Sequence, residues 1–176
     1  ISTYLKLVKN YPESTQRADA IYNVALSLES TQQYKASARQ YLRYCDLFPD
    51  RDDAPAVCFR AGSVYEKMGD PKLVISTYRN FIKKYKSNDD HSDRIMEAYL
   101  LIAKAYLKLN KRKDVMKAYK AAVDFFAKKS SKKSNEKSAP YAAEAQFRLY
   151  DPAFKKFMTL RFVGNAKKQQ KMLLKK

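Results

Sequence analysis

Apolar residues recur at helical spacing along most of the chain, in stripes separated by short polar turns. Tyr4, Leu5, Val8 and Tyr11 make the first stripe. Pro12 and Glu13-Ser14-Thr15 close it, with Ser14 or Thr15 placed to cap the next helix. Ala18, Ile21, Tyr22, Ala25 and Leu28 make the second stripe, before a turn over 30–33. Tyr34, Ala38, Tyr41, Leu42 and Cys45 make the third, which stops at Pro49. Asp52 or Asp53 can cap a fourth helix, and Pro55 suits its first turn. That helix carries Cys58, Phe59, Gly62 and Tyr65. Met68-Gly69-Asp70-Pro71 is a turn, with glycine as helix stop and proline restarting the chain. Leu73, Val74, Tyr78, Phe81 and Ile82 follow. Beyond the polar loop 87–93, two more stripes run Ile95, Tyr99, Ile102, Ala103, Tyr106 and then Val115, Met116, Tyr119, Val123.

These stripes keep step with one another. Tyr4, Tyr41, Tyr78 and Tyr119 lie 37, 37 and 41 residues apart. Ala25, Gly62 and Ala103 mark a small position, and Leu28, Tyr65 and Tyr106 a large one three residues later. Pro12 and Pro49 end two units after Tyr11 and Phe48, whereas Lys86 follows Tyr85 at the third end. A period of this length, with two amphipathic helices per unit, predicts an all-α solenoid of stacked helix pairs. Small residues let paired helices approach, and tyrosines fill the gaps between pairs with a hydroxyl left to satisfy. The expected organisation is a trailing helix and three helix pairs over 1–129. A Lys/Ser-rich flexible loop is expected over 130–138. A partial fourth repeat follows over 139–176, capped by Ser138, bent at Pro152 and continued by a basic C-terminal helix. The chain opens at Ile1 inside a helix, which reads as a piece of a longer protein.

Charge divides the chain unevenly. Residues 1–100 are close to neutral, but residues 101–176 hold 21 Lys/Arg against 5 Asp/Glu, nearly all of the net +18. This suggests a solvated surface or an electrostatic partner. The excess is overwhelmingly lysine, which suits non-specific phosphate or headgroup attraction rather than base reading. A basic module binding nucleic acid or an anionic surface is therefore the alternative function.

Catalytic and metal chemistry finds no foothold. No phosphate-binding glycine loop, dinucleotide fingerprint or zinc-protease string occurs. His91 lies among Asp89, Asp90, Ser92 and Asp93, too close in sequence for a triad and without calcium-loop spacing. That loop reads as helix capping. Cys45 and Cys58 sit on apolar stripes and read as buried thiols, with a disulfide as the other reading. No catalytic residue, cofactor or metal is expected, and no apolar run is long enough to span a membrane.

At Ala25/Gly62/Ala103, Leu28/Tyr65/Tyr106, Tyr41/Tyr78/Tyr119 and Pro49 the chain resembles the tetratricopeptide repeat family. It departs in its longer period, in the missing terminal prolines of units two and three, and in Leu28. Ser37, Val74 and Val115 at the mid-helix small position depart too. The resemblance implies a right-handed solenoid of antiparallel helix pairs and a non-enzymatic protein-interaction scaffold. The first helix of each pair would line a groove for a peptide or helix. The groove residues would be Asp19, Tyr22, Leu26 and Glu29, then Phe59, Ser63 and Glu66, then Glu97, Leu100, Lys104 and Lys108. The segment Tyr11-Pro12-Glu13-Ser14 with Ala18-Asp19-Ala20 resembles bacterial cell-envelope members, which implies the periplasm or envelope, with the cytoplasm as alternative. A second interface is expected at Phe154, Phe157, Met158 and Phe162, or these dock a following repeat.

Overall fold

Helix boundaries fall close to where the polar turns interrupt the stripes. A computed structural model of the chain describes residues 2–129 and 132–159, excepting the side chains of Leu5, Phe157 and residues 132–135. Among these there are helices and no strand. They are α1 (Ser2–Asn10), α2 (Arg17–Ser30), α3 (Tyr34–Leu47), α4 (Ala54–Met68), α5 (Pro71–Tyr85), α6 (Ser92–Lys108), α7 (Arg112–Lys128) and α8 (Lys132–Met158), with a short 3₁₀ turn, Asp89–His91, before α6. Each helix packs on its successor, and α8 packs on both α6 and α7. The pairs α2/α3, α4/α5 and α6/α7 are the three repeat units.

The repeat positions are the core. Tyr41 and Tyr78 are fully buried and Tyr119 nearly so, whereas Tyr4 in the trailing helix is exposed. Burying such a ring contributes about 1.5–3 kcal/mol. Ala25 and Ala103 are fully buried. A Cβ at Gly62 would stand 2.5 Å from Cε1 and Cζ of Tyr78, so this helix crossing requires glycine. Unit one makes a further tie: Ser37 Oγ donates to the Ala25 carbonyl at 2.7 Å. Val74 and Val115 hold that position later in the chain and have no hydroxyl to do the same.

The turn inside every unit has one construction. Gln32, Gly69 and Asn110 all have positive φ, at 59°, 78° and 57°. The next amide reaches back to the large repeat position: Gln33 N–H to the Leu28 carbonyl, Asp70 to Tyr65 and Lys111 to Tyr106. This is the left-handed helix stop in which two amides satisfy the last open carbonyls. Asp70 then caps α5, its carboxylate accepting from the amides of Lys72 and Leu73.

Several expectations are corrected. Cys45 and Cys58 are joined in a disulfide, not held as thiols, with Cα atoms 5.7 Å apart. The end of α3 and the start of α4 meet across a short turn, which brings the two stripes together. The segment expected to be a flexible loop over 130–138 is helical from Lys132 onward. It holds no glycine, and lysine and glutamate extend a helix readily once α8 has nucleated on α6 and α7. Ser138 is therefore a buried residue inside α8 rather than its cap. The helix also continues past Pro140 and Pro152. Each proline leaves one carbonyl without its helical donor, on Glu136 and Arg148, and both residues are exposed to water. Gln16, not Ser14 or Thr15, precedes α2, and Ser14 Oγ accepts from its amide at 3.2 Å. Asp53 precedes α4, but its carboxylate accepts from Tyr44 and Arg51 instead of capping. The basic extension over 160–176 lies outside the described residues.

Candidate functional site

The first-helix faces of the three units differ in how much of their chemistry is already satisfied internally. In unit one, Asp19 is exposed and meets Arg51 at 3.5 Å, and Leu26 is exposed. Glu29 is buried at the centre of a polar cluster. It accepts from the Tyr41 hydroxyl at 3.0 Å, Arg60 Nε at 2.9 Å and Lys67 Nζ at 2.6 Å. Arg60 also donates to the Tyr22 hydroxyl at 3.2 Å and lies over the Tyr41 ring, 5.4 Å from its centroid. Burial pushes the Glu29 carboxyl up, but the bonds from Lys67, Arg60 and Tyr41 outweigh this and hold it below the ordinary range. Because Arg60 and Lys67 belong to α4, this carboxylate joins unit one to unit two.

Unit two repeats half of that arrangement. Tyr78 donates to Glu66 at 2.8 Å, with Ser63 Oγ 3.3 Å from the same hydroxyl. Phe59 packs against the rings of Tyr78 and Phe81, at 5.0 and 5.4 Å between centroids. Phe59, Ser63 and Glu66 are thus half-buried members of the inter-helix packing, as well as residues of the first-helix face.

Unit three is open. Glu97, Leu100 and Lys104 share a cleft of about 930 Å³ with residues of α7 and α8. Leu101, Leu107, Val115, Met116 and Tyr141 supply most of its apolar lining. Lys104 and Arg112 on its wall make no ion pair with described residues, whereas Arg148 and Glu144 face each other at 3.7 Å. Lys108 lines instead a small crevice among α4, α5 and α6, together with Glu66, Asp70 and Val74. Burial, with Glu66 and Asp93 nearby, raises the Glu97 carboxyl above its ordinary value, against the smaller pull of Arg94. Helical spacing alone puts Glu97, Leu100 and Lys104 on one face of α6. That α7 and α8 wall them in is not legible in the sequence, because the face of a helix says nothing about what stands opposite.

The second expected interface lies on α8. Phe154 and Met158 are exposed, as are Phe147 and Tyr150 on the same helix. Phe157 belongs to that helix, and Phe162 lies outside the described residues. Around the histidine, Asp89 pairs with Lys129, Asn88 Oδ1 accepts from the Asp90 amide, and the His91 ring stands edge-on to Tyr85 at 5.5 Å. Among the described residues no group of His, Cys, Asp and Glu is placed to hold a metal, and no helix is long and apolar enough to cross a membrane.

Two stretches match family models described as tetratricopeptide repeat, residues 58–88 and residues 97–128. They cover most of units two and three. No curated protein matches the chain. Among solved structures, a chain in the crystal structure of a T3SS complex from Aeromonas hydrophila has the same fold. It superposes with a TM-score of 0.55 at 16% sequence identity, over 89% of this chain and 97% of that one.

Proposed function

Since the chain is a tetratricopeptide repeat protein, an interaction scaffold for other proteins, we propose that it works without catalysis by holding a partner segment along its first-helix groove. The observation that carries this reading is the open cleft of unit three, where Leu100 and Lys104 stand beside apolar residues of α7 and α8. Asp19, Tyr22 and Leu26 extend the surface towards the N-terminal end, and Phe59, Ser63, Glu66 and Lys108 continue it. Glu29 serves it indirectly, by fixing unit one against unit two. A hydrophobic groove is a recurring form of site for an amphipathic partner segment, and the lysines around it speed encounter with an acidic partner.

The scaffold acts in a bacterial envelope compartment. The Cys45–Cys58 bond supports this, because disulfides persist in oxidising compartments and are rare in the cytosol. The alternative, a polyanion-binding module, is favoured by one observation, the net +16 of residues 101–176. Capture from a lysate of the source organism, washed at low and at high salt, separates the two. A discrete protein retained at high salt, and lost with Leu100→Asp, supports the groove. Recovery of only nucleic acid or mixed acidic material, released by salt, supports the alternative.

A further inference from the structure

The first helix of each complete unit stops soon after its small residue. Helices α2, α4 and α6 end at Ser30, Met68 and Lys108, five or six residues past Ala25, Gly62 and Ala103. The seventh residue past the small one, Gln32, Gly69 or Asn110, makes the turn at positive φ. In α8 the fully buried small residue is Ala145, and the seventh past it is Pro152. The proline ring fixes φ at about −65°, so no such turn forms there, and the helix runs on to Met158. That carries it about 11 Å further past its small residue than α2, α4 or α6. Ala142 and Ala145 are buried and Leu149 packs against the core, whereas Phe147, Tyr150, Phe154 and Met158 are each at least 60% exposed. At about 3.6 residues per turn these four fall within about 80° of arc, on the side opposite the buried alanines. None of them lines the cleft, to which α8 gives Tyr141, Glu144, Arg148 and Pro152.

We infer that this stripe docks on an anionic membrane surface: α8 lies in the headgroup layer with its three rings and Met158 inserted, and the lysines around it meet lipid phosphates. Charge complementarity decides the occupant. From Lys155 to Lys176 there are eight Lys/Arg and no Asp or Glu. The two carboxylates nearest the stripe are already offset, Glu144 by Arg148 at 3.7 Å and Asp151 by Lys155 at 2.8 Å. Lysine stems cover apolar surface while the ammonium groups reach outward. An aromatic face with a lysine-rich polar side is the composition of a helix that lies in the plane of a membrane interface. The stripe stands on one helix, without a second wall among the described residues. It therefore suits a continuous apolar layer better than single-stranded nucleic acid, which needs a groove that tracks its backbone. A second copy of the chain would bring two of these basic stretches together. The inference does not rest on the groove reading.

The test puts a reporter on the stripe. The chain has no tryptophan, so Phe154→Trp in the full chain supplies a single indole, and Tyr11→Trp, at an exposed residue near the other end, is its control. In buffer, Phe154→Trp should emit as a water-exposed indole. Vesicles of equal parts phosphatidylglycerol and phosphatidylcholine should shift that emission to the blue, and brominated lipid should quench it, while Tyr11→Trp stays unchanged. Pure phosphatidylcholine vesicles should bind at least about tenfold more weakly, as should Lys156→Glu on the anionic ones. Phe154→Ser with Met158→Ser should weaken cosedimentation with anionic vesicles about tenfold at an unchanged melting temperature, because both side chains already stand in water. Emission that is already blue-shifted in buffer would mean that residues 160–176 or a second copy cover the stripe, and overturns the proposal. So does equal quenching of the two reporters, equal binding to neutral vesicles, or no binding at all. Binding that survives the double serine variant leaves only lysines adhering to charge and overturns it too. Tighter binding of Phe154→Trp to oligothymidylate than to the vesicles would assign the surface to nucleic acid instead. None of these outcomes moves the Leu100→Asp result, so the groove reading is judged separately by the lysate capture.

Discussion

Gly62 shows at one residue how the repeat is held together. A methyl group there would meet the Tyr78 ring at 2.5 Å, and that ring is pinned by the hydroxyl bonds to Ser63 and Glu66. Alanine favours a helix interior by about 1 kcal/mol over glycine, but overpacking of this kind costs about 1–3 kcal/mol. Gly62→Ala should therefore be destabilising by about 1 kcal/mol in urea unfolding, although it improves helix propensity. The intra-unit turns predict the reverse at another position. Gln32 carries a left-handed φ of 59°, where Gly69 stands in unit two. Gln32→Gly should stabilise by about 0.5–1 kcal/mol, read as a higher urea midpoint with an unchanged slope. The close approach at Gly62 was legible in the sequence, because a small residue recurred at a fixed place. The shared turn was not: only Gly69 announces a left-handed residue, while a glutamine in that conformation looks like any other polar turn residue. The Tyr–Glu spacing of twelve was also present in the sequence. It gains meaning only once the hydroxyl is seen to reach the carboxylate.

Between elements, two carboxylates pull stability in opposite directions with pH. Glu29 ties α2 and α3 to α4, and its folded value lies below the ordinary one. Its contribution is thus fully present above the unfolded carboxyl value and is lost as pH falls through the lowered folded value. Glu97 is raised by burial and by its acidic neighbours, so its penalty is absent at acid pH and grows as pH rises through its range. Glu29→Gln should lower stability at neutral pH by about 1.5–3 kcal/mol, as for hydrogen bonds to a charged group, and flatten the acid limb of the stability profile. Glu97→Gln should raise stability at neutral pH and leave it unchanged below the carboxyl range. Chemical denaturation across acid and neutral pH checks both, and equal effects of the two variants would sink the assignment. The disulfide joins α3 to α4 across 13 residues of sequence, a loop for which chain entropy predicts about 3 kcal/mol. Reduction should lower the melting temperature, and Cys45→Ser should abolish the response to reductant. The helix pairs and their boundaries were legible because the apolar period is strong. The start of α8 was not, because a lysine- and serine-rich run carries no apolar face. Its helicity is borrowed from the packed turns that follow.

At the scale of the whole molecule, a solenoid whose units touch only their neighbours is as cooperative as its junctions. The junction of units one and two holds a disulfide, the buried Glu29 cluster and the bond from Lys84 Nζ to the Cys45 carbonyl at 2.8 Å. The junction of units two and three has fewer polar ties: Arg79 donates to the Tyr106 hydroxyl at 2.7 Å and lies over its ring. At the far end, α8 packs on α6 and α7 but leaves Phe147, Tyr150, Phe154 and Met158 in water. Stability should therefore fall from the stapled end towards α8, and hydrogen exchange should report it as a gradient. The second half of α8 should exchange first, then α6 and α7, and α3 to α5 last. Reduction of the disulfide should speed exchange in α2 to α4 while leaving α6 and α7 unchanged. Uniform exchange along the chain, or an equal response of all units to reductant, would mean that the solenoid opens as one body. The gradient also bears on the cleft. Because the groove of unit three is walled by α8, an incoming segment that bridges α6, α7 and α8 would steady that end. Ligand-induced protection confined to α8 and its two neighbours is the whole-molecule sign that the cleft is occupied.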